Sequence, residues 1–140
     1  MKIVIIDGQG GRMGKSVIEQ LHKRHPQLET YAIGTNSIAT AAMMKAGASY
    51  GATGENPAII NSQDADLIIG PIGIVIANSL LGEITPNMAA AIGSSRAHKI
   101  LIPVNRCSHF VVGCKDATLT EYITMVCEQV EKEMKEYENR

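Results

Sequence analysis

Ile3-Val4-Ile5-Ile6-Asp7-Gly8-Gln9-Gly10-Gly11-Arg12-Met13-Gly14 begins after only two residues of the chain, and its reading decides the fold. The apolar run 3–6, ended by Asp7-Gly8, suits a strand buried on both faces. From residue 12 to residue 25, Met13, Val17, Ile18 and Leu21 recur at helical spacing, and His25-Pro26 stops the helix. A strand, a glycine-rich turn and a helix thus follow one another directly. Gly8, Gly11 and Gly14 satisfy G-x-x-G-x-x-G, and Gly8, Gly10 and Gly14 satisfy G-x-G-x-x-x-G; Met13 breaks the strict G-x-G-x-x-G.

This is the order of a Rossmann-type phosphate-binding turn. The first glycine permits a tight turn, the middle ones admit a pyrophosphate to the backbone, and the last brings helix and strand together. The helix start then presents unpaired N–H groups and the positive dipole end to an anion, with Arg12 and Lys15 adding charge. Gly8, Gln9, Gly10, Gly11, Arg12, Met13 and Gly14 are therefore expected to bind a nucleotide cofactor. Asp7 is a fixed negative charge just before the turn. It repels phosphate unless Arg12 or Lys15 neutralises it, or else it caps the turn through its own side chain. The second strand, Tyr31-Ala32-Ile33, closes at Gly34 and runs into Thr35-Asn36-Ser37 without the acid that holds the ribose hydroxyls of NAD. That ending slightly favours NADP over NAD, with another nucleotide as the alternative.

Outward from the turn, strands and helices alternate. Ser37 or Asn36 caps a helix through Lys45, stopped by Gly47. Residues 57–61 fit either a short third strand or a helical turn. Residues 66–70 read as a buried strand, Thr85-Pro86 as a helix start running to about Arg96, and 99–104 as another strand. Residues 109–113 read as an edge strand, and Thr118-x-x-Glu121 is a capping box opening the last helix. The expectation is a single α/β domain over residues 1–140, Rossmann-like, with a mostly parallel sheet and helices on both faces.

In such sheets, ligands bind outside the carboxyl ends of the strands. The loops expected there are Thr35-Asn36-Ser37, Gly70-Pro71-Ile72-Gly73 and Asn105-Arg106-Cys107, with Thr53-Gly54-Glu55-Asn56 as a further candidate. Gly70, Pro71, Ile72 and Gly73 carry little bulk and suit a ligand lying on the backbone, or a packing turn. Asn105 offers an amide to the ligand. Glu55 and Glu83 are the candidate acids or bases, but no catalytic set emerges. The histidines at 22, 25, 98 and 109 lack metal or triad spacing, and no metal site is expected. Cys107 and Cys114 could form a redox pair, although most free cysteines are small buried hydrophobes.

Composition bounds the partners. Of 140 residues, 45% are hydrophobic and 19% charged, and the net charge of −1 is spread without a basic patch, which argues against nucleic acid. The longest apolar stretch, 67–81, is broken by Gly70, Pro71, Gly73 and Asn78, which argues against a membrane span. An odd number of cysteines without metal spacing suits a reducing, cytoplasmic setting. The last helix repeats Leu119, Tyr122, Ile123, Val126, Val130, Met134 and Tyr137 at steps of three and four. Its distal half, or the stretch 74–81, is expected to contribute to a homodimer or larger homo-oligomer.

Read whole, the chain resembles a family of short bacterial Rossmann-like proteins that carries only a domain-of-unknown-function label. The matching stretches are 6–11, 34–40, 51–56, 70–74, 82–86 and 105–107. The resemblance implies the fold and brings no activity. Locally, Gly8-x-x-Gly11-Arg12-Met13-Gly14 resembles the cofactor loop of dihydrodipicolinate reductases, which use NADH or NADPH and carry a separate substrate domain. Residues 65–71 with Lys99-Ile100 more faintly resemble phospholactate-transferase-like nucleotide-binding proteins. The function expected is a nucleotide- or dinucleotide-binding protein of NAD(P) type, acting as a sensor or regulatory module. The alternative is a small NAD(P)-dependent oxidoreductase whose active site is completed across a dimer.

Overall fold

The computed structural model, which describes residues 1–104 and 109–140, puts the opening apolar run at the centre of a five-stranded sheet. Its elements are β1 (Ile3–Asp7), α1 (Arg12–Arg24), β2 (Thr30–Gly34), α2 (Ser37–Lys45), β3 (Tyr50–Thr53), α3 (Glu55–Gln63), β4 (Leu67–Pro71), a 3-10 turn (Ile72–Val75), α4 (Pro86–Ser94), β5 (His98–Ile102) and α5 (Leu119–Glu138). Every strand pairing is parallel, in the order β3-β2-β1-β4-β5. The architecture is a single-domain, Rossmann-like α/β fold.

Side chains of a strand alternate between the faces of its sheet, and β1 divides the core accordingly. Ile3 and Ile5 join Met13, Val17, Ile18 and Leu21 of α1, Met43 of α2, and Ile123, Val126 and Val130 of α5. Val4 and Ile6 face the other way, onto Ala58 of α3 and Met88, Ala89 and Ile92 of α4. Ile3, Val4, Ile5 and Ile6 are all fully buried, which is why the strand reads as an unbroken apolar run rather than as an alternation. The two helix layers leave β1 and β4 on opposite faces, so a crevice opens between the carboxyl ends of these neighbours.

Local caps follow the sequence. Asn36 is the cap of α2, its side chain accepting from Ala39 N at 2.9 Å, and Thr85 and Thr118 cap α4 and α5 in the same way. One open reading closes and one changes. Of the two readings of residues 57–61 the helical one holds, since they belong to α3, and the third strand is Tyr50–Thr53. Tyr50 stacks on Tyr31 of β2 with ring centroids 4.8 Å apart, so aromatic stacking and main-chain pairing hold an edge strand that buries little else. Residues 109–113 form no strand: they run as loop and turn, with Phe110 and Val112 each 87% exposed. No helix among the described residues is long and apolar enough to cross a membrane.

Candidate functional site

The glycine turn lies at the β1/β4 crevice, and the chain itself satisfies most of its amides. Gly11 N donates to Gly8 O at 2.9 Å, closing the turn. Asp7, buried at the end of β1, accepts from Gly8 N and Gly14 N, each at 2.8 Å. Of its two readings, Asp7 therefore takes the capping one. Burial pushes the Asp7 carboxyl above the ordinary carboxylate range; hydrogen bonds from Gly14, Gly8 and Met13 oppose this, and the nearby charge of Glu83 adds to it.

Glu83 is the side chain that sequence reasoning placed only loosely. It arrives from the loop before α4 and accepts from Gln9 N at 3.1 and 3.2 Å, from Thr35 Oγ1 at 2.7 Å and from Asn36 Nδ2 at 2.6 Å. Burial acts to raise its pKa. The hydrogen bonds from Thr35, Asn36 and Gln9 outweigh that and hold it below the ordinary value. Thr35 and Asn36 thus gather at the turn as expected, and their partner is this carboxylate. Asn36 also donates to Gln9 O at 3.0 Å. Nothing in the local sequence pairs positions 9 and 83, so the only signal was the presence of an acid in a loop on the same sheet edge.

The glycines divide by what surrounds them. A Cβ on Gly8 would stand 2.6 Å from Thr35 Oγ1 and 2.9 Å from Leu80 Cδ1, and one on Gly11 2.7 Å from the Cα of Ala39. On Gly14 it would meet Met43 and Asp7. These three are explained by the chain's own packing, helix α1 against α2 above all. Gly10 is different: its nearest neighbour among the described residues would be Arg12 Cγ at 3.9 Å. The open approach to the backbone is there.

A crevice of about 390 Å³ covers that approach, lined by Asp7 to Met13 and walled by Leu80, Val104 and Leu119. Among the described residues, no hydrogen-bond partner meets the N–H groups of Gly10 and Arg12. The Arg12 side chain is exposed and forms no ion pair with a described residue. Lys15 is engaged at 3.9 Å by Glu19. The crevice can therefore offer an anion two main-chain donors, a guanidinium and a helix dipole, opposed by the carboxylates of Asp7 and Glu83.

The remaining expected residues sit apart. Ser37 starts α2 and is exposed. Gly70 and Pro71 are buried in β4, where Gly70 packs against Ile6 and Ile74, and Ile72 and Gly73 form the 3-10 turn, which Ser79 Oγ closes by donating to Gly73 O. This stretch is a packing turn beside the crevice, not its lining. Asn105, Arg106 and Cys107 lie outside the described residues. A larger groove of about 610 Å³ follows the outer edge of β5, between Ile100, Tyr122, Met125 and Gln129. It holds no share of the glycine turn, and the switch-point crevice is the better candidate site because main-chain donors converge there.

Residues 2–135 match the family model of a domain of unknown function, DUF3842. The chain belongs to that family. No curated protein and no solved structure matches it. The match covers nearly the whole chain and includes the glycine turn, Glu83 and the walls Leu80, Val104 and Leu119, so these parts lie within one family unit.

Proposed function

We propose that this protein binds a nucleotide through the glycine turn and acts as a sensor or regulatory module. The observation that carries this reading is the crevice over Gly10 and Arg12 at the β1/β4 switch point, where the main-chain N–H groups of both residues and the Arg12 guanidinium have no partner among the described residues. A phosphoryl group seated there meets the N–H groups of residues 10 and 12 and the positive end of α1. NADP and NAD, the cofactors of the similar reductase loop, head the ligands to be tried, with mononucleotides beside them.

The walls favour binding over turnover. Leu80, Val104 and Leu119 are aliphatic, and Asp7, the buried acid of the crevice, has both oxygens committed to backbone amides. A hydride-transferring active site completed by a second copy remains the alternative, and Leu81, 97% exposed at the end of the stretch 74–81, is an apolar side chain that such an association would cover. Native mass spectrometry of freshly purified protein, followed by calorimetric titration with nucleotides, tests the main reading. A bound or titratable nucleotide that Gly10→Val abolishes is the expected result. A protein that takes up no nucleotide by either method defeats it.

A further inference from the structure

A dinucleotide on a Rossmann-type turn extends to both sides of its pyrophosphate, one half toward β2 and the other past β4. Here the two sides differ. On the β4 side the crevice lies between the turn, Val104 and Leu119, and no other described residue closes it. On the β2 side the loop leading to α4 lies across the turn. Leu80 covers Gly8, and the Glu83 carboxylate occupies Gln9 N, Thr35 and Asn36. An anion already sits on the amide that a ligand on that side would use, and it belongs to the protein.

The same loop is held in an unfavourable backbone form. Asn78, Leu80 and Leu81 have φ of 65, 55 and 56°, followed by Gly82 at 88°. The left-handed region suits glycine and is costly for leucine. Leu81 gains nothing by burial in return, being 97% exposed. The loop is closed by Asn78 N donating to Ile84 O at 2.7 Å and by Ser79 Oγ donating to Gly73 O. Residues 78–82 therefore keep a strained path across the sheet edge, and the contacts holding that path at the turn are those of Leu80 and Glu83.

We infer that this loop makes the site selective for mononucleotide-sized phosphorylated ligands over dinucleotides, with Glu83 as the residue that sets the choice. The inference rests on the nucleotide reading above and narrows it. A ligand with one sugar and one base enters the open side without moving the loop. A dinucleotide must displace Glu83 from its three partners and lift Leu80 from Gly8, and its phosphate competes with a carboxylate for Gln9 N. The strand end after β2, which carries no acid of its own, thus receives a carboxylate supplied from 48 residues away.

The test is calorimetric titration of AMP, nicotinamide mononucleotide, NAD and NADP into wild type, Glu83→Ala and Glu83→Gln, with circular dichroism to check folding. Wild type is expected to bind a mononucleotide at least as tightly as either dinucleotide. Glu83→Ala is expected to raise the dinucleotide-to-mononucleotide affinity ratio about tenfold, the worth of one charge-assisted hydrogen bond. Glu83→Gln, which keeps the shape and removes the charge, is expected to move it part of the way. Three results overturn the inference while leaving nucleotide binding intact: wild type preferring a dinucleotide about tenfold, an unchanged ratio in both variants, or a ratio that falls in Glu83→Ala because the carboxylate reads ribose hydroxyls. If none of the four probes binds wild type or either variant, the nucleotide reading falls and the inference with it.

Discussion

Oδ2 of Asp7 accepts the backbone N–H of Gly14 at 2.8 Å, tying the end of β1 to the first turn of α1. With Oδ1 on Gly8 N, one buried carboxylate holds both ends of the glycine turn. It supplies the acceptors that a helix start lacks within itself. Asp7→Ala leaves both donors buried and unpaired, and each such orphan costs about 1–3 kcal/mol. Relief of a desolvated carboxylate returns part of that, so a net loss on the order of 2 kcal/mol is expected. Urea unfolding reads it as a lower midpoint at unchanged slope. A midpoint equal to wild type would mean that the turn does not depend on this side chain.

Gly10 and Gly11 are neighbours with opposite expected behaviour. Gly11 has φ +70°, and an added Cβ would meet the Ala39 backbone at 2.7 and 2.8 Å. Backbone cannot step aside cheaply, so Gly11→Ala must open the α1–α2 contact and should destabilise by about 2 kcal/mol or more. Gly10→Ala meets no described residue closer than 3.9 Å, and its stability should stay within about 0.5 kcal/mol of wild type. Its effect falls on the ligand, which can no longer approach the backbone there. Thermal unfolding and calorimetric titration of the two variants separate fold from site. A Gly10→Ala protein that binds nucleotide as wild type does would remove the crevice from consideration.

The parts of the fold that were legible are those where burial on both faces leaves a compositional trace. Residues 3–6 and 66–70 read as strands because neither face could be polar. Tyr50–Thr53 left no such trace: Tyr50, Gly51 and Thr53 are exposed, and the strand is held by its pairing with β2 and by ring stacking. The apolar run at 57–61 fits strand and helix alike, and in α3 Ala58 is buried whereas Ile60 is 50% exposed. The turn was legible as a local pattern, and so was the capping alternative for Asp7. The contact between Gln9 and Glu83 was not, because 74 residues and three crossover connections, through α1, α2 and α3, separate the partners.

Asn36 joins three elements at once. Its Oδ1 caps α2 through Ala39 N, while Nδ2 donates to Gln9 O and Glu83 Oε1. Asn36→Asp keeps the cap, since aspartate serves as well as asparagine there, but turns the donor into a carboxylate set against Glu83. Asn36→Ala loses the cap, at about 1 kcal/mol, without the repulsion. The expected pattern is that Asp frees the loop at 78–83 more than Ala does, read as faster amide exchange at Gln9 and Glu83. Equal exchange in the two variants would show that the amide donor does not hold Glu83.

The two carboxylates at the turn are displaced in opposite directions, and this gives opposite pH dependences. For Asp7, burial raises the folded-state pKa above its unfolded value. Its contribution to stability is thus fully present below the unfolded pKa and is lost as pH rises through the folded one. For Glu83, burial acts upward but is outweighed by donors from Thr35, Asn36 and Gln9, so the folded pKa lies below the unfolded one. Its contribution is present above the unfolded pKa and disappears as pH falls through the folded one. Carbon-13 titration of the side-chain carboxyls should place Asp7 above and Glu83 below the ordinary carboxylate range. In Glu83→Gln the Asp7 titration should move down, because a like charge has gone. The stability advantage of wild type over Glu83→Gln should exist near neutrality and vanish in acid, and an advantage that persists below the Glu83 titration would mean the charge contributes nothing to the hold on Gln9.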